Sequence, residues 1–338
     1  KLSLSGSLIT TFNKLWGVLN SVAVSNFSVV IAVGEAGNIY KSTNNGIEWA
    51  GILQEPNYYS LNSITKKQDG SLFAVGDKGS FLTSTDEGVS WNSINFTSSD
   101  INKLFFANEN IGWCAAGRYL YKTSNGGTSW SDLLKFSGST SHIYYDVVFF
   151  DLNNGILVGR ASATAGLIQS SVDGGGGWTQ RIINNPGFFY SAAYLSSKDT
   201  AFACGANGVI NKTVNACTTW TSKTSNTNQT LYHIKFINSR IGYAVGAAGT
   251  IIKTTNGGEY WYQQESHTTS DLSDIRFYDE KHGIAVGSGG TVILTNDSGK
   301  TWIQKSLPTN NNLTEAVIIN PTTAFIVGNN STILKGAS

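Results

Sequence analysis

Charged side chains are scarce in this sequence. Only 13% of the 338 residues are charged, and the formal net charge is +1. This balance provides no field that would attract nucleic acid or an anionic membrane surface. We therefore expect no nucleic-acid partner. Arginine is especially rare, and the whole set is Arg118, Arg160, Arg181, Arg240 and Arg276.

Cysteine, methionine and long apolar runs are also rare or missing. Three cysteines leave at least one thiol unpaired, and we interpret Cys114, Cys204 and Cys217 as small buried apolar residues. No run of 18 apolar residues occurs, so we expect no membrane-spanning helix. The chain starts at Lys1 and contains no methionine, which we interpret as a processed form. Together with an Asn-, Ser- and Thr-rich composition, this predicts a secreted or extracytoplasmic protein, in the periplasm or at the cell surface.

Signals for metals and cofactors are weak. The histidines His142, His233, His267 and His282 are far apart and lack the spacing of metal ligands. The glycine-rich pieces are hairpin turns rather than strand-to-helix junctions, so they do not predict a phosphate-binding loop. We predict no metal and no cofactor.

The sequence consists of one unit repeated along its length. A turn of the form Ser/Thr-x-Asp/Asn-x-Gly-x-x-Trp occurs seven times, as in Ser84–Trp91, and Cys217 once replaces its glycine. Each repeat also contains an apolar-x-x-apolar-x-apolar segment, such as Leu231 to Phe236. Four short strands per repeat of about 41 residues predict a β-propeller blade. A glycine that closes the second strand marks each repeat, at Gly34, Gly76, Gly117, Gly159, Gly205, Gly246, Gly287 and Gly328.

We predict a single all-β domain over residues 1–338, a β-propeller of four-stranded antiparallel blades. The last repeat stops after three strands, whereas residues 1–15 contain strand-like pieces. We infer that this N-terminal strand joins the C-terminal blade and closes the ring, which would leave no open edge. Eight blades result, with seven as the alternative if residues 1–15 are only a tail. The repeats lie at about 16–56, 57–98, 99–138, 139–184, 185–226, 227–267, 268–308 and 309–338.

The turns resemble the Asp-box (BNR) repeat. The longer segment Ile241–Gly258 is similar to the repeat of the photosystem II assembly/stability factor family, and the resemblance covers residues 16 to 338. It implies a propeller that holds a protein partner. Within the turns, an acidic side chain can brace backbone N–H groups while the tryptophan packs between sheets. This predicts structural roles for Asp86, Trp91, Asp173, Trp178, Asp297 and Trp302.

Aromatic and polar side chains stand together at the start of the predicted innermost strands. Such a surface suits a peptide or a sugar ring. The alternative is that the aromatic rings pack between blades and the polar residues line a water-filled channel. The binding candidates are Tyr58, Tyr59, Lys103, Tyr144, Tyr145, Asp146, Tyr190, Tyr232 and His233.

An enzymatic alternative rests on two carboxylates. Sialidases of this repeat type bind their substrate through an arginine cluster, which five scattered arginines do not supply. A glycoside hydrolase would need an acid pair roughly 5–10 Å apart. Asp274 and Glu315, on neighbouring blades, are the catalytic candidates, with solvated channel residues as their other interpretation.

The sequence therefore predicts a non-enzymatic binding or scaffolding propeller outside the cytoplasm, which contacts a protein or a glycan through one loop face. Two alternatives stay open. One is a glycoside-active enzyme, and the other is a purely structural component of a surface assembly.

Overall fold

The computed structural model describes residues 17–26, 28–52, 59–135, 142–307, 309–320, 323–330 and 332–336. These residues form eight antiparallel sheets in which strands pair in chain order. Each sheet is one blade of an eight-bladed β-propeller, so the predicted fold class is confirmed. Seven sheets have four strands, and three strands of the eighth are described. The closing strand predicted within residues 1–15 lies outside the described residues.

The strands are short, as expected for strands that are connected by closely spaced turns. Blades one to four comprise β1 (Leu19–Val24), β2 (Val30–Gly34), β3 (Ile39–Ser42), β4 (Ala50–Gly51), β5 (Leu61–Lys66), β6 (Leu72–Gly76), β7 (Phe81–Ser84), β8 (Asn92–Ser93), β9 (Ile101–Phe106), β10 (Gly112–Ala116), β11 (Tyr119–Thr123), β12 (Ser131–Lys135), β13 (Ile143–Phe149), β14 (Gly155–Arg160), β15 (Ala165–Ser171) and β16 (Thr179–Pro186). Blades five to eight comprise β17 (Phe189–Tyr194), β18 (Ala201–Gly205), β19 (Ile210–Thr213), β20 (Thr221–Lys223), β21 (Leu231–Phe236), β22 (Gly242–Gly246), β23 (Ile251–Thr254), β24 (Tyr262–Gln264), β25 (Leu272–Phe277), β26 (Gly283–Gly287), β27 (Val292–Thr295), β28 (Ile303–Gln304), β29 (Leu313–Asn320), β30 (Thr323–Gly328) and β31 (Thr332–Gly336). Single 3-10 turns follow the second strand at Glu35–Gly37, Asp77–Gly79, Ala206–Gly208, Ala247–Gly249 and Ser288–Gly290.

One compact unit contains Lys1–Ile101 and Arg276–Ser338. Within it, the last blade packs against the first, because Phe325 and Val327 share a buried core with Val30 and Trp49. Polar contacts join the same two blades. The Lys335 ammonium group donates to the Asn45 carbonyl at 2.7 Å. The two ends of the described chain are therefore held together by adjacent blades.

The second compact unit is Asn102–Ile275. Its core lies between the facing sheets of successive blades. Between blades five and six, Phe202 and Cys204 pack against Ile234, Ala244 and Trp261, all of them buried. All three cysteines of the chain are unpaired and buried, as predicted. Burial raises the pKa of the Cys204 thiol, which keeps it protonated.

The repeated glycine at the end of the second strand is explained by a close backbone approach. In blade six, the backbone N–H of Ala247 donates to the Thr230 carbonyl at 2.8 Å. A Cβ on the preceding Gly246 would lie only 1.8 Å from that carbonyl oxygen. The backbone φ of Gly246 is −172°, so space rather than backbone conformation requires glycine here. The same approach occurs at Gly34, Gly76, Gly159, Gly205 and Gly328.

The seven tryptophan turns share one hydrogen-bond pattern. In each turn the buried Ser or Thr hydroxyl accepts from the backbone N–H four residues later, at 2.7–3.1 Å. The Asp or Asn side chain likewise accepts from the backbone N–H four residues after itself, at 2.8–3.1 Å. Hydrogen bonds from the side chain and backbone of Ser90 lower the pKa of Asp86 to about 2. The structure thus places Asp86, Asp173 and Asp297 within their own turns.

The tryptophans of these turns are mostly inside. Trp91 and Trp302 are buried, and Trp178 is partly buried against the core of blades three and four. The Trp178 indole N–H donates to the Gly175 carbonyl at 3.0 Å. Packing against the sheets thus holds these side chains within the blades.

Candidate functional site: a row of tyrosines at the first-strand bulges

The candidate site lies where the first strand of each blade begins. There the register between the first and second strands shifts by one residue, which is a β-bulge. In blade four, Tyr144 pairs with Gly159 and Asp146 pairs with Val158, so Tyr145 is the extra residue. A bulge re-aims the extra side chain away from the regular pleat. The extra residues in the blades with a described bulge are Asn20, Asn62, Tyr145, Tyr190, Tyr232 and Thr314.

The asparagine at this position ties blades one and three to the blade that follows, whereas the Asn62 amide of blade two donates to Oδ1 of Asp77 in its own blade at 2.7 Å. The Asn20 amide donates to the Leu61 carbonyl of blade two at 2.9 Å. The Asn102 amide, at the same sequence position of blade three, donates to the Tyr144 carbonyl of blade four at 2.7 Å. Asparagine therefore has a structural role here.

Blades four, five and six carry tyrosine instead. A phenol cannot reproduce the amide bridge, and the three rings lie beside one another as a continuous aromatic surface. The ring centroids of Tyr145 and Tyr190 are 5.3 Å apart, and those of Tyr190 and Tyr232 are 6.1 Å apart. All three residues are partly exposed. We call Tyr145, Tyr190 and Tyr232 the tyrosine row.

A cation stands at the blade-four side of the row. The Arg160 guanidinium carbon lies 5.6 Å from the centroid of the Phe188 ring, which in turn is 6.4 Å from the ring of Tyr190. The Nε atom of Arg160 is buried and has no hydrogen-bond partner among the described residues. Burial raises the pKa of the Tyr145 phenol, and the Arg160 charge opposes this rise. This part of the row combines apolar rings with a positive charge.

A carboxylate stands at the blade-six side. The Tyr232 hydroxyl is 3.4 Å from Oδ2 of Asp271, and Oδ1 of Asp271 accepts from the backbone N–H of Ala248 at 2.9 Å. Burial and the Asp271 charge raise the pKa of Tyr232. The raised pKa values keep the phenols of Tyr145 and Tyr232 neutral near pH 7, so that both offer an apolar face and a hydroxyl donor.

The polar residues next to the row connect blades. Oδ2 of Asp146 accepts from the backbone N–H of Ala192 at 3.0 Å, and Lys103 is 3.9 Å from Oδ1 of the same carboxylate. The Ser191 hydroxyl of blade five accepts from the backbone N–H of Ile234 in blade six at 3.5 Å. These contacts give Asp146 a bridging role, while Lys103 keeps 44% of its side chain exposed.

The two candidate catalytic carboxylates each have a basic partner. Asp274 Oδ1 is 2.8 Å from Nδ1 of His233, and the Asp274 side chain is nearly buried. Glu315 forms an ion pair with Arg276 at 2.9 Å and also accepts from the Ser21 hydroxyl and the Val22 N–H. These bonds occupy both carboxylates in holding strands together. The contacts of Asp274 and Glu315 provide no support for the enzymatic alternative.

The other predicted binding residues are distributed as follows. Tyr144 is fully buried beside Trp113 and Val147, so its proposed role as a surface contact is corrected to a core role. The reason is the bulge, which turns Tyr145 outward and leaves its neighbour inside. Tyr59 is 49% exposed in the other compact unit. Tyr58 lies outside the described residues.

Sequence reasoning missed Asp271 as a site residue. Its signal was its position, because Asp100 occupies the equivalent place ahead of blade three and accepts from the backbone N–H of Lys78 at 2.9 Å. Within the described part of the chain, no group of three His, Cys, Asp or Glu side chains could hold a metal ion. Among the same residues, no helix has the length and apolar character to cross a membrane.

The fold and the site together define an eight-bladed β-propeller with tryptophan-turn repeats and an aromatic surface at the first-strand bulges. The profile of the photosynthesis system II assembly factor YCF48 family matches residues 7–214 and 259–337. The chain belongs to this family. No curated protein matches the sequence significantly.

Solved structures agree with this fold. YCF48 from Cyanidioschyzon merolae is 18% identical, with a TM-score of 0.66 over 96% of each chain. A structure described as YCF48 bound to D1 peptide is 14% identical, with a TM-score of 0.59 over 96% of this chain and 95% of that one. Chaetomium thermophilum Sqt1 bound to the N-terminus of the ribosomal protein L10 is 13% identical, with a TM-score of 0.73 over 95% and 97% of the two chains. At these identities the likeness establishes the fold.

Proposed function

We propose that this protein is a non-enzymatic binding module that holds an extended segment of a protein partner on the tyrosine row. The observation that carries the proposal is that three successive blades have tyrosine at the bulge where Asn20 and Asn102 bridge to the next blade. The three tyrosines form a partly exposed aromatic surface. Tyrosine is a favoured contact residue because it offers large apolar area and a polar tip at low entropic cost.

The spacing of the rings fits an extended polypeptide. Two residues of extended chain advance by about 6.6 Å, close to the ring separations of 5.3 and 6.1 Å. Alternate side chains of one segment can therefore meet successive tyrosines. The similar structures of YCF48 bound to D1 peptide and of Sqt1 bound to the N-terminus of the ribosomal protein L10 support a peptide as the kind of ligand.

Two charged residues near the tyrosine row would favour some peptides over others. Arg160 offers a cation near Tyr145, and Asp271 offers a carboxylate near Tyr232. With a formal net charge of only +1, binding would depend on local contacts rather than on long-range attraction. The module would thus bind a segment with apolar side chains at alternate positions, as a scaffold for its partner.

The experiment that tests this function is selection of a random dodecapeptide phage library on the full chain, followed by titration with the tightest peptide. We expect Tyr190→Ala to weaken that peptide at least tenfold, because central aromatic contacts dominate such interfaces. Tyr278→Ala is the matched control, since Tyr278 is 48% exposed in the hairpin between β25 and β26. Equal affinity of the Tyr190→Ala and Tyr278→Ala variants would contradict the proposal.

We also propose an extracytoplasmic location, as a component of a surface or periplasmic assembly. The low content of charged residues and the Asn-, Ser- and Thr-rich composition support it. Fractionation of native cells with an antibody against the chain is expected to find it outside the cytoplasmic fraction. Recovery with cytoplasmic marker enzymes would contradict this location.

A further inference from the structure

A groove rich in side-chain amides begins beside the tyrosine row. It encloses about 650 Å³, a volume in the range of ligand sites. Three segments of the chain line it, namely the residues before β21, the 3-10 turn and start of β23, and the end of β24. We call it the amide groove, and its lining residues are Asn226–Gln229, Ala248–Ile251 and Gln263–Ser266.

Two hydrogen bonds fix one wall of the groove. The Asn226 amide donates to the Trp261 carbonyl at 2.7 Å, and the Gln263 amide donates to the Asn226 carbonyl at 2.8 Å. The side-chain amides of Asn228 and Gln229, in contrast, make no hydrogen bond to another residue in the described ranges, and both residues are exposed. The groove therefore presents unused donors and acceptors on a fixed wall.

The amide groove is continuous with the tyrosine row. Ala248 lines the groove, and its N–H is bound by Asp271, whose other oxygen is 3.4 Å from the Tyr232 hydroxyl. The next link is the hydrogen bond from the Ala247 N–H to the Thr230 carbonyl, two residues before Tyr232. A ligand leaving the row at Tyr232 would meet the groove directly.

The chemistry of the groove matches a polypeptide backbone. Each peptide unit presents one N–H and one C=O, and a side-chain amide offers both an acceptor oxygen and a donor NH₂. Glu265 is the charged residue of the lining. The groove would therefore form hydrogen bonds with the main chain of a bound segment and select only weakly for the charge of its side chains.

We infer that the partner segment proposed above continues from the tyrosine row into the amide groove. This inference rests on the proposed function and adds a second part to its site. Apolar side chains of the segment contact Tyr145, Tyr190 and Tyr232, and the backbone of its following residues hydrogen-bonds to Asn228 and Gln229. The ligand class is an extended segment that has apolar residues at one end and an uncharged, backbone-bound stretch at the other.

Cysteine placement gives a direct test, because all three native thiols are buried. The selected dodecapeptide is synthesised with a bromoacetyl group at its N-terminus or at its C-terminus. We expect one of the two peptides to alkylate the thiol introduced by Asn228→Cys at least tenfold faster than the thiol introduced by Asn110→Cys. Asn110 is an exposed residue of the β9–β10 hairpin, at the other end of the strands. Equal rates at the two thiols with both peptides would overturn the inference.

Affinity measurements separate this inference from the proposed function. We expect the double substitution Asn228→Ala with Gln229→Ala to weaken the dodecapeptide about fivefold, and Asn110→Ala to leave it unchanged. If Tyr190→Ala weakens the affinity for the dodecapeptide and the double substitution does not, the inference about the groove is overturned and the proposed function stands. If only the double substitution weakens the affinity, the proposed function is contradicted and binding is assigned to the groove. Binding of maltohexaose or chitohexaose that is lost only in the double substitution would make the groove a sugar site and overturn the inference.

Discussion

The substitution Gly246→Ala is expected to lower the free energy of unfolding by more than about 3 kcal/mol. The added Cβ would lie 1.8 Å from the Thr230 carbonyl oxygen and 2.9 Å from the Leu231 Cα. Neither atom belongs to a flexible side chain, so β21 and β22 would have to separate where they are joined by the Ala247 N–H. The blade would lose that hydrogen bond together with its register.

Urea unfolding followed by tryptophan fluorescence measures this effect, since each of the seven turns carries a tryptophan. Gly51→Ala is the control, because a Cβ at Gly51 would meet only the Tyr40 ring at an ordinary 3.6 Å. We expect the control to unfold within about 0.5 kcal/mol of the native chain. A Gly246→Ala variant as stable as the control would refute the steric explanation of the repeated glycine.

The second large effect is expected at Trp261. This side chain is fully buried, and its ring packs edge-on against Phe202 and Phe236 at centroid distances of 6.2 and 5.9 Å. Truncation to alanine removes these contacts and leaves a cavity between blades five and six. We expect Trp261→Ala to cost about 3–5 kcal/mol.

Trp220 provides the comparison for Trp261, because it occupies the same position in the previous blade and is only partly buried. Thermal unfolding followed by circular dichroism should give a loss for Trp220→Ala no greater than half that for Trp261→Ala. A larger loss at Trp220 would show that burial between sheets is not what the turn tryptophan contributes.

The number of blades could be predicted from the sequence because the repeated glycine marks a local steric requirement. In blades one, two, five, six and eight the residue after this glycine donates its backbone N–H to a carbonyl ahead of the first strand, and a Cβ on the glycine would lie only 1.7–2.2 Å from that oxygen. The tryptophan turns follow for a similar reason, since their Ser or Thr hydroxyls accept hydrogen bonds within five residues. Contacts within one repeat therefore appear as recurring residues at fixed spacing in the sequence.

The distinction between Tyr144 and Tyr145 was not drawn, although the sequence contained a signal for it. A regular strand alternates, so its apolar residues would follow at intervals of two. The segment Leu231, Ile234 and Phe236 has intervals of three and then two, which indicates one extra residue and hence a bulge. With that reading, Tyr232 and its equivalents are the residues that turn outward.

The rest of the site depends on contacts between distant segments. Arg160 approaches Phe188 from an earlier blade, and Asp271 reaches Tyr232 from a later one. The spacing of residues within a single repeat does not predict such contacts between side chains of different blades. The same holds for the pairs of Asp274 with His233 and Glu315 with Arg276, since the sequence predicted these two carboxylates only as catalytic candidates or solvated channel residues.

The bonds between the last and the first blade have a further consequence for how such a chain can evolve. An open array of repeats tolerates the loss of one internal copy, because each copy needs only its neighbours. Here Glu315 and Lys335 find their acceptors and donors at Ser21, Val22 and Asn45. Loss or duplication of one repeat would change the angle at every junction and pull these groups apart. The contacts between the last and the first blade therefore favour a fixed number of repeats in this chain.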